Sequence, residues 1–359
     1  PGGPFVWHVT SRHDTVVGTP AAPRAGSARS SPPETPIALA SLPLRPGSTG
    51  DDVADLQRRL RAAGYPIGEV SGEYDLATRA AVAAFQSAAG LDADGDCDAD
   101  TWSALVESSF TLGMRLLCLR SPMMRGDDVS ELQLRLGALG FDAGRVDGIF
   151  GQMTQSAVGD FQRNAGLVSD EVCGPGTIAC LRRLEGRGGS APVTGVRERE
   201  RLRRRVGSPT GLRVAIGSVG TTHPVLSSLA AELQLAGLST LLLTTGWSEQ
   251  AGSTNEFEAD VYIGLVVADD PVVETSYFSV PGYESSGGRH LAQLILRELP
   301  AAPGWAIGVA AGKRLPILRE TRPPAVVLKL GDAAMLETNQ DLVVASLVRA
   351  LDSWAAEPC

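Results

Sequence analysis

The chain repeats itself. Residues 50–105 align with residues 126–181 at a constant offset of 76 and without gaps, and 25 of the 56 aligned positions are identical. Gly50-Asp51-Asp52-Val53 returns as Gly126-Asp127-Asp128-Val129, Leu56-Gln57 as Leu132-Gln133, Phe85-Gln86 as Phe161-Gln162, and Cys97 as Cys173. Identity at this level and fixed spacing means duplication, so both copies must share one fold.

Each copy reads as three short helices. In the second, Val129, Leu132, Leu136 and Leu139 fall on one apolar face. Asp127 or Asp128 is placed to cap that helix and Gly140 to end it. The turn Val146-Asp147-Gly148-Ile149-Phe150-Gly151 has glycines that let the backbone fold tightly around Phe150. Ala157, Val158 and Phe161 mark the second helix. Gly174-Pro175-Gly176-Thr177 starts the third, which carries Ile178 and Leu181.

The repeat divides the rest of the chain. Residues 1–46 are rich in Pro, Ser, Ala and Gly and hold too little apolar surface to offset ordering, so a disordered tail is expected. Modules are expected at 47–108 and 123–184. A basic, salt-laced linker follows at 185–210, with Arg-Glu-Arg-Glu-Arg from Arg197 to Arg201 and then Arg203-Arg204-Arg205. Residues 211–356 alternate strand-like and helix-like segments, as an α/β domain does. The strand candidates are Val214–Ile216, Thr240–Leu243, Val261–Val267, Ser276–Val280 and Ala325–Leu330. The helix candidates are Leu226–Ala236, Arg289–Leu299 and Gln340–Trp354, and Gly282–Gly288 reads as a flexible loop. The expected fold is thus multidomain: two all-α three-helix modules, then an α/β domain with a central mixed or mostly parallel sheet.

Composition excludes some functions. A net charge of -9 argues against nucleic acid as the main partner. No apolar stretch reaches the length of a membrane-spanning helix. Phe5-Val6-Trp7 is too short for a signal-peptide core, which leaves export unsupported by this N-terminus. Five cysteines with no Cys-x-x-Cys pair favour free, mostly buried thiols and a cytoplasmic location, with an exported or wall-associated one as the alternative.

The repeat pattern resembles the peptidoglycan-binding family of three-helix modules. The signature runs from Gly126 through Leu132-Gln133, the Asp147–Gly151 turn and Thr154 to Phe161-Gln162 and Gly166-Leu167. The first copy departs from it, with Ser71-Gly72-Glu73-Tyr74-Asp75 at the turn. The resemblance implies binding of a peptidoglycan fragment or precursor, with contacts expected at Asp147, Phe150, Thr154 and Gln162. Each has a plain alternative: Phe150 as core, Asp147 and Thr154 as turn and cap residues.

Residues 211–356 resemble zinc-dependent N-acetylmuramoyl-L-alanine amidases. The matches are Arg213–Ile216, Ala231–Gly237, Glu258–Ile263 and Pro324–Gly331. Two modules, a basic linker and this domain, in that order, are similar to the amidase-like cell-wall regulators of actinobacteria. The family's zinc ligands would follow the first strand, follow the central strand and sit early in the first helix. Here the first place reads Gly217-Ser218-Val219-Gly220 and the second Leu265-Val266-Val267, and no Asp or Glu occurs between Arg213 and Glu232. The family's catalytic Glu falls on Lys329. His223 and His290 are the only histidines in the domain. Gly220, Val266 and Lys329 therefore mark a degenerate site. The expectation is a pseudo-amidase with no cofactor, regulating cell-wall biogenesis, whose partners are peptidoglycan fragments or precursors and proteins of peptidoglycan synthesis. The alternative is an active zinc amidase cleaving the muramyl–L-alanine amide bond.

Overall fold

In the computed structural model the described residues are 42–184, 200, 211–218, 223–268, 271–299, 305–331 and 333–356. The expectations for residues 1–41, for the linker apart from Glu200, and for Gly220 fall outside them.

Each repeat is a three-helix module. The first contains α1 (Asp51–Ala62), α2 (Leu76–Ala89) and α3 (Ala99–Ser108). The second contains α4 (Asp127–Ala138), α5 (Gln152–Asn164) and α6 (Pro175–Arg183). In α4, Val129, Leu132 and Leu136 are fully buried, and Gly140 ends the turn at φ 89°. Capping differs from the expectation. Gly126 is the N-cap and no side chain caps α4. Asp128 is instead 1% exposed and ion-paired with Arg115 at 2.8 Å, because a carboxylate buried that deeply requires a cation. Single β-bridges tie each module's entry and turn: Leu44 with Cys97 and Thr49 with Glu73, then Leu117 with Cys173 and Arg125 with Ile149. The modules therefore reach further back than the repeat alone indicates. Leu44 is buried, and Leu112 and Leu117 belong to the second module's core.

The C-terminal part is an α/β domain. Its elements are β1 (Arg213–Ser218), α7 (Pro224–Leu235), β2 (Ser239–Leu243), α8 (Trp247–Glu256), β3 (Val261–Ala268), β4 (Val272–Val280), β5 (Tyr283–Glu284), α9 (Ser286–Glu298), β6 (Ala306–Lys313), α10 (Pro316–Glu320), β7 (Ala325–Gly331), α11 (Ala333–Thr338) and α12 (Gln340–Ala356). Strands β2, β1, β3 and β7 are parallel neighbours in that order. β4 joins β7 antiparallel, and β6 and the short β5 pair with β4. The sheet is mixed. β3 is continuously buried from Val261 to Leu265 and β7 almost throughout, as strands covered on both faces must be. Val214, Ile216, Ile263, Leu265, Val326 and Leu328 share one core with α7, α9 and α12. Side-chain alternation turns Tyr262, Val266 and Lys329 to the other face. Two expectations are corrected. Residues 282–288 are not a loose loop: Tyr283–Glu284 form β5, Ser285 caps α9 by accepting from Gly288 N, and α9 begins at Ser286. Residues 247–256, unassigned from sequence, form α8.

The modules dock on this domain at the corner between β6 and α10. Lys313 pairs with Asp92 at 2.6 Å, Arg319 with Glu107 at 2.5 Å, Arg125 with Glu320 at 2.5 Å, and Arg314 with Asp127. Arg314 N donates to Gly90 O at 3.0 Å. Arg145 donates to the carbonyls of Leu318 and Thr321 at the end of α10 and lies over the Phe278 ring at 4.5 Å.

Candidate functional site

The modules are built around two buried glutamines each. Gln133 Nε2 donates to Asp147 Oδ1 (2.9 Å), Ile149 O (3.1 Å) and Thr154 Oγ1 (3.1 Å), so two hydrogens serve three acceptors. Its Oε1 accepts from Gly148 N at 2.9 Å. Gln57 holds the first module's turn in the same way through Glu73 O, Thr78 Oγ1 and Gly72 N. Gln162 clamps the second turn of its module through Asp170, Val172 O, Thr177 and Glu171 N, and Gln86 does so in the first.

These bonds decide where the expected contact residues lie. Asp147 and Thr154 meet on Gln133. Phe150 is fully buried in the core, while Gln162, 2% exposed, belongs to the other turn. Thr154 is 1% exposed and donates to Ala143 O. Asp147 is half-buried; burial pushes its carboxyl up, against the bonds from Gln133 and Ile149 N and the charges of Arg145 and Arg319. The four are thus not gathered on one surface, and the polar ones satisfy the module's own turns. Gln133 and Gln57 went unassigned in the sequence, although their identity at the repeat offset was the available signal.

The second candidate site lies where the amidase resemblance places its metal. Val266 of β3 is the register partner of Lys329 in β7, and Lys329 is also opposite Glu274 of β4. The three lie on the same sheet face as Tyr262, whose hydroxyl meets α8. Glu274 was not singled out from sequence, because its place beside Lys329 depends on the antiparallel pairing of β4. At the end of β1, Tyr262 Oη donates to Gln250 Oε1 at 2.7 Å, and Gln250 donates to Ser218 O at 3.0 Å and Thr245 O at 2.6 Å. This pair fills the space over Gly217, where an added Cβ would lie 1.9 Å from Gln250 Oε1. His223 is the N-cap of α7, with Nδ1 accepting from Val225 N. His290 lies in α9, half-buried. These residues do not fit zinc: an aliphatic chain has no lone pair to give, and an ammonium repels the ion. Among the described residues no three His, Cys, Asp or Glu side chains converge as ligands.

The family described as putative peptidoglycan binding domain matches residues 49–105 and 125–181. The N-acetylmuramoyl-L-alanine amidase CwlM of Mycobacterium tuberculosis is 32% identical over 305 residues, covering 74% of this chain and 75% of that protein. The amidase CwlL of Bacillus licheniformis is 34% identical over 163 residues, 39% of this chain and 45% of that protein. Among solved structures, the amidase Ami1 of Mycobacterium smegmatis aligns at a TM-score of 0.36 and 12% identity, covering 42% of this chain and 99% of that one. The chain belongs to the N-acetylmuramoyl-L-alanine amidase family, with two peptidoglycan-binding-type modules ahead of its amidase-like domain.

Proposed function

We propose that this protein is a non-catalytic regulator of cell-wall biogenesis. Its modules recognise a peptidoglycan fragment or precursor, and its amidase-like domain serves as a scaffold that does not hydrolyse the muramyl–alanine amide. The observation that carries the reading is the Val266–Lys329 pair at the place where amide hydrolysis of this kind requires a metal ligand and a carboxylate. No metal cofactor takes part. The partners are peptidoglycan fragments or precursors and proteins of peptidoglycan synthesis. The free thiols of Cys97, Cys118, Cys173 and Cys180 support action in the cytoplasm. Burial pushes Cys97 and Cys173 up to about 12, which leaves both unreactive.

The test pairs three measurements on one preparation: metal content, release of alanine-headed peptides from muropeptides, and retention on insoluble peptidoglycan. Retention without zinc or release is the expected result. One tightly held zinc per chain together with peptide release would establish an active amidase. Absence of retention, with no binding of soluble fragments, would reduce the modules to protein adaptors.

A further inference from the structure

The two modules meet the C-terminal domain with different ends. The first docks through the end of α2 and through α3, where Gly90, Asp92 and Glu107 meet Arg314, Lys313 and Arg319. Among the described residues, nothing in its turn at 65–75 makes a hydrogen bond or ion pair to that domain. The second module docks through the turn itself. Arg145 donates to Leu318 O at 2.9 Å and to Thr321 O, and lies over the Phe278 ring. Arg125, bridged to Ile149 of the turn, holds Glu320 at 2.5 Å. Leu134 of α4 packs against Gly282, where an added Cβ would lie 3.3 Å from Leu134 Cδ1.

Inside the modules the two turns are built alike. Gly72 N and Gly148 N donate to a glutamine Oε1, and Glu73 N and Ile149 N to the side-chain oxygen two residues back. Tyr74 N and Phe150 N donate to Ser48 O and Met124 O. Their surfaces differ. Glu69, Ser71, Glu73 and Asp75 are exposed, whereas their counterparts Arg145, Asp147, Ile149 and Gly151 are all half-buried. The side chains that dock the second turn are missing from the first: Thr49, Arg58 and Glu69 stand at the places of Arg125, Leu134 and Arg145. A guanidinium can serve two carbonyls at a helix end, and a carboxylate at that place would be repelled by them.

We infer that the C-terminal domain covers the second module's turn, so that in the docked chain only the first module offers this face to an external ligand. The inference rests on the reading that the modules recognise a peptidoglycan fragment, and it assigns that recognition to the turn at 65–75. The same ligand reaches 141–151 only when the second module leaves α10, so its affinity there is lowered by the fraction of chains that are open. Docking is an autoinhibitory contact, made by three side chains that differ between the two copies.

Hydrogen exchange and calorimetry on the full chain test it. Because the turns share their backbone hydrogen bonds, exchange compares how each is covered. In the unaltered chain, 141–151 should exchange about tenfold more slowly than 65–75 after correction for sequence. Arg125→Thr combined with Arg145→Glu gives the second turn the first module's residues, which this fold already accommodates, and should bring the two rates together. A disaccharide–tetrapeptide muropeptide should bind once per unaltered chain and twice per double-variant chain. Equal exchange of the two turns in the unaltered chain, or two muropeptides bound to it, overturns the inference. So does a double variant whose second turn is uncovered and which still binds one. No heat from either chain overturns the recognition reading, and with it the assignment to 65–75, while the exchange difference still decides whether the domain covers the second turn. If the double variant does not fold, exchange and stoichiometry in the unaltered chain decide alone.

Discussion

Where the first module has Gly95, the second has Glu171, and both adopt a left-handed backbone, at φ 78° and 60°. The first module caps α2 and α3 with Asp75 and Asp98, whose carboxylates accept from Thr78 N and Thr101 N; at the same places the second has Gly151 and Gly174, which supply no cap. Tyr74 donates to Gly95 O, and its counterpart Phe150 has no hydroxyl. Toward the C-terminal domain the first module offers the carboxylates Asp92 and Glu107, the second Asp127, Arg125 and Arg145. The glutamine clamps, by contrast, are the same in both, as are the β-bridges beside them. Caps and surface charges can be exchanged for small changes in stability. A buried backbone N–H cannot lose its acceptor so cheaply.

That contrast is broken most directly at the clamps. Gln86→Leu and Gln162→Leu should each cost about 2 kcal/mol, because each takes the acceptor from one turn N–H, that of Gly95 or Glu171. Urea denaturation of the full chain reads both, and unequal costs would show that the modules do not share this support. Docking comes next. Glu107→Ala should cost about 2 kcal/mol, since buried Arg319 loses its closer ion-pair partner and keeps the one with Glu320 at 3.4 Å. Asp92→Asn should change stability by less than about 0.5 kcal/mol, because Asp92 is 58% exposed. Splitting of one denaturation transition into two, in the first variant alone, is the expected sign that the modules have come free.

The left-handed residues sharpen the comparison further. Glu171→Gly should stabilise the second module by roughly 1 kcal/mol through relief of its backbone. Gly95→Ala should cost the first module about 1–2 kcal/mol, because its Cβ would also lie 2.7 Å from Arg79 Cγ. Thermal melts in which the two variants shift in the same direction would show that the shared φ is not what distinguishes the modules.

Much of this architecture was readable before any coordinates. Helix period, glycine stops and the Gly148 turn are local signals, and the repeat states them twice. β3 and β7 announced themselves as continuous apolar runs. β6 did not, because Ala306–Lys313 is an edge strand of small residues with Ile307 and Val309 exposed. α8 did not either, since its sequence is mostly polar and contains Gly252. The site was harder still. Phe150 as core was a stated alternative, but the ion pair between Arg125 and Glu320 joins residues 195 apart, and no periodicity encodes such a pair. Glu274 became visible beside Lys329 only through strand register.

The smallest effect tests the boundary between scaffold and site. Asp147 and its counterpart Ser71 make the same turn bond, accepting from Ile149 N at 2.8 Å and Glu73 N at 3.2 Å, but only Asp147 brings a charge. Burial raises its carboxyl, so the folded protein binds that proton more tightly than the unfolded chain does. The stability linked to this proton is fully present below the unfolded pKa and is lost as pH rises through the folded one. Asp147→Asn keeps an oxygen for Gln133 and Ile149 and removes the charge. It should therefore gain roughly a few tenths of a kcal/mol at pH 7, and the gain should vanish below about pH 4. Melting curves across that range check the sign. If the variant is as stable as expected yet no longer retained by peptidoglycan, Asp147 has a second task as a ligand contact that Ser71 cannot perform, and the two modules differ in function as well as in support.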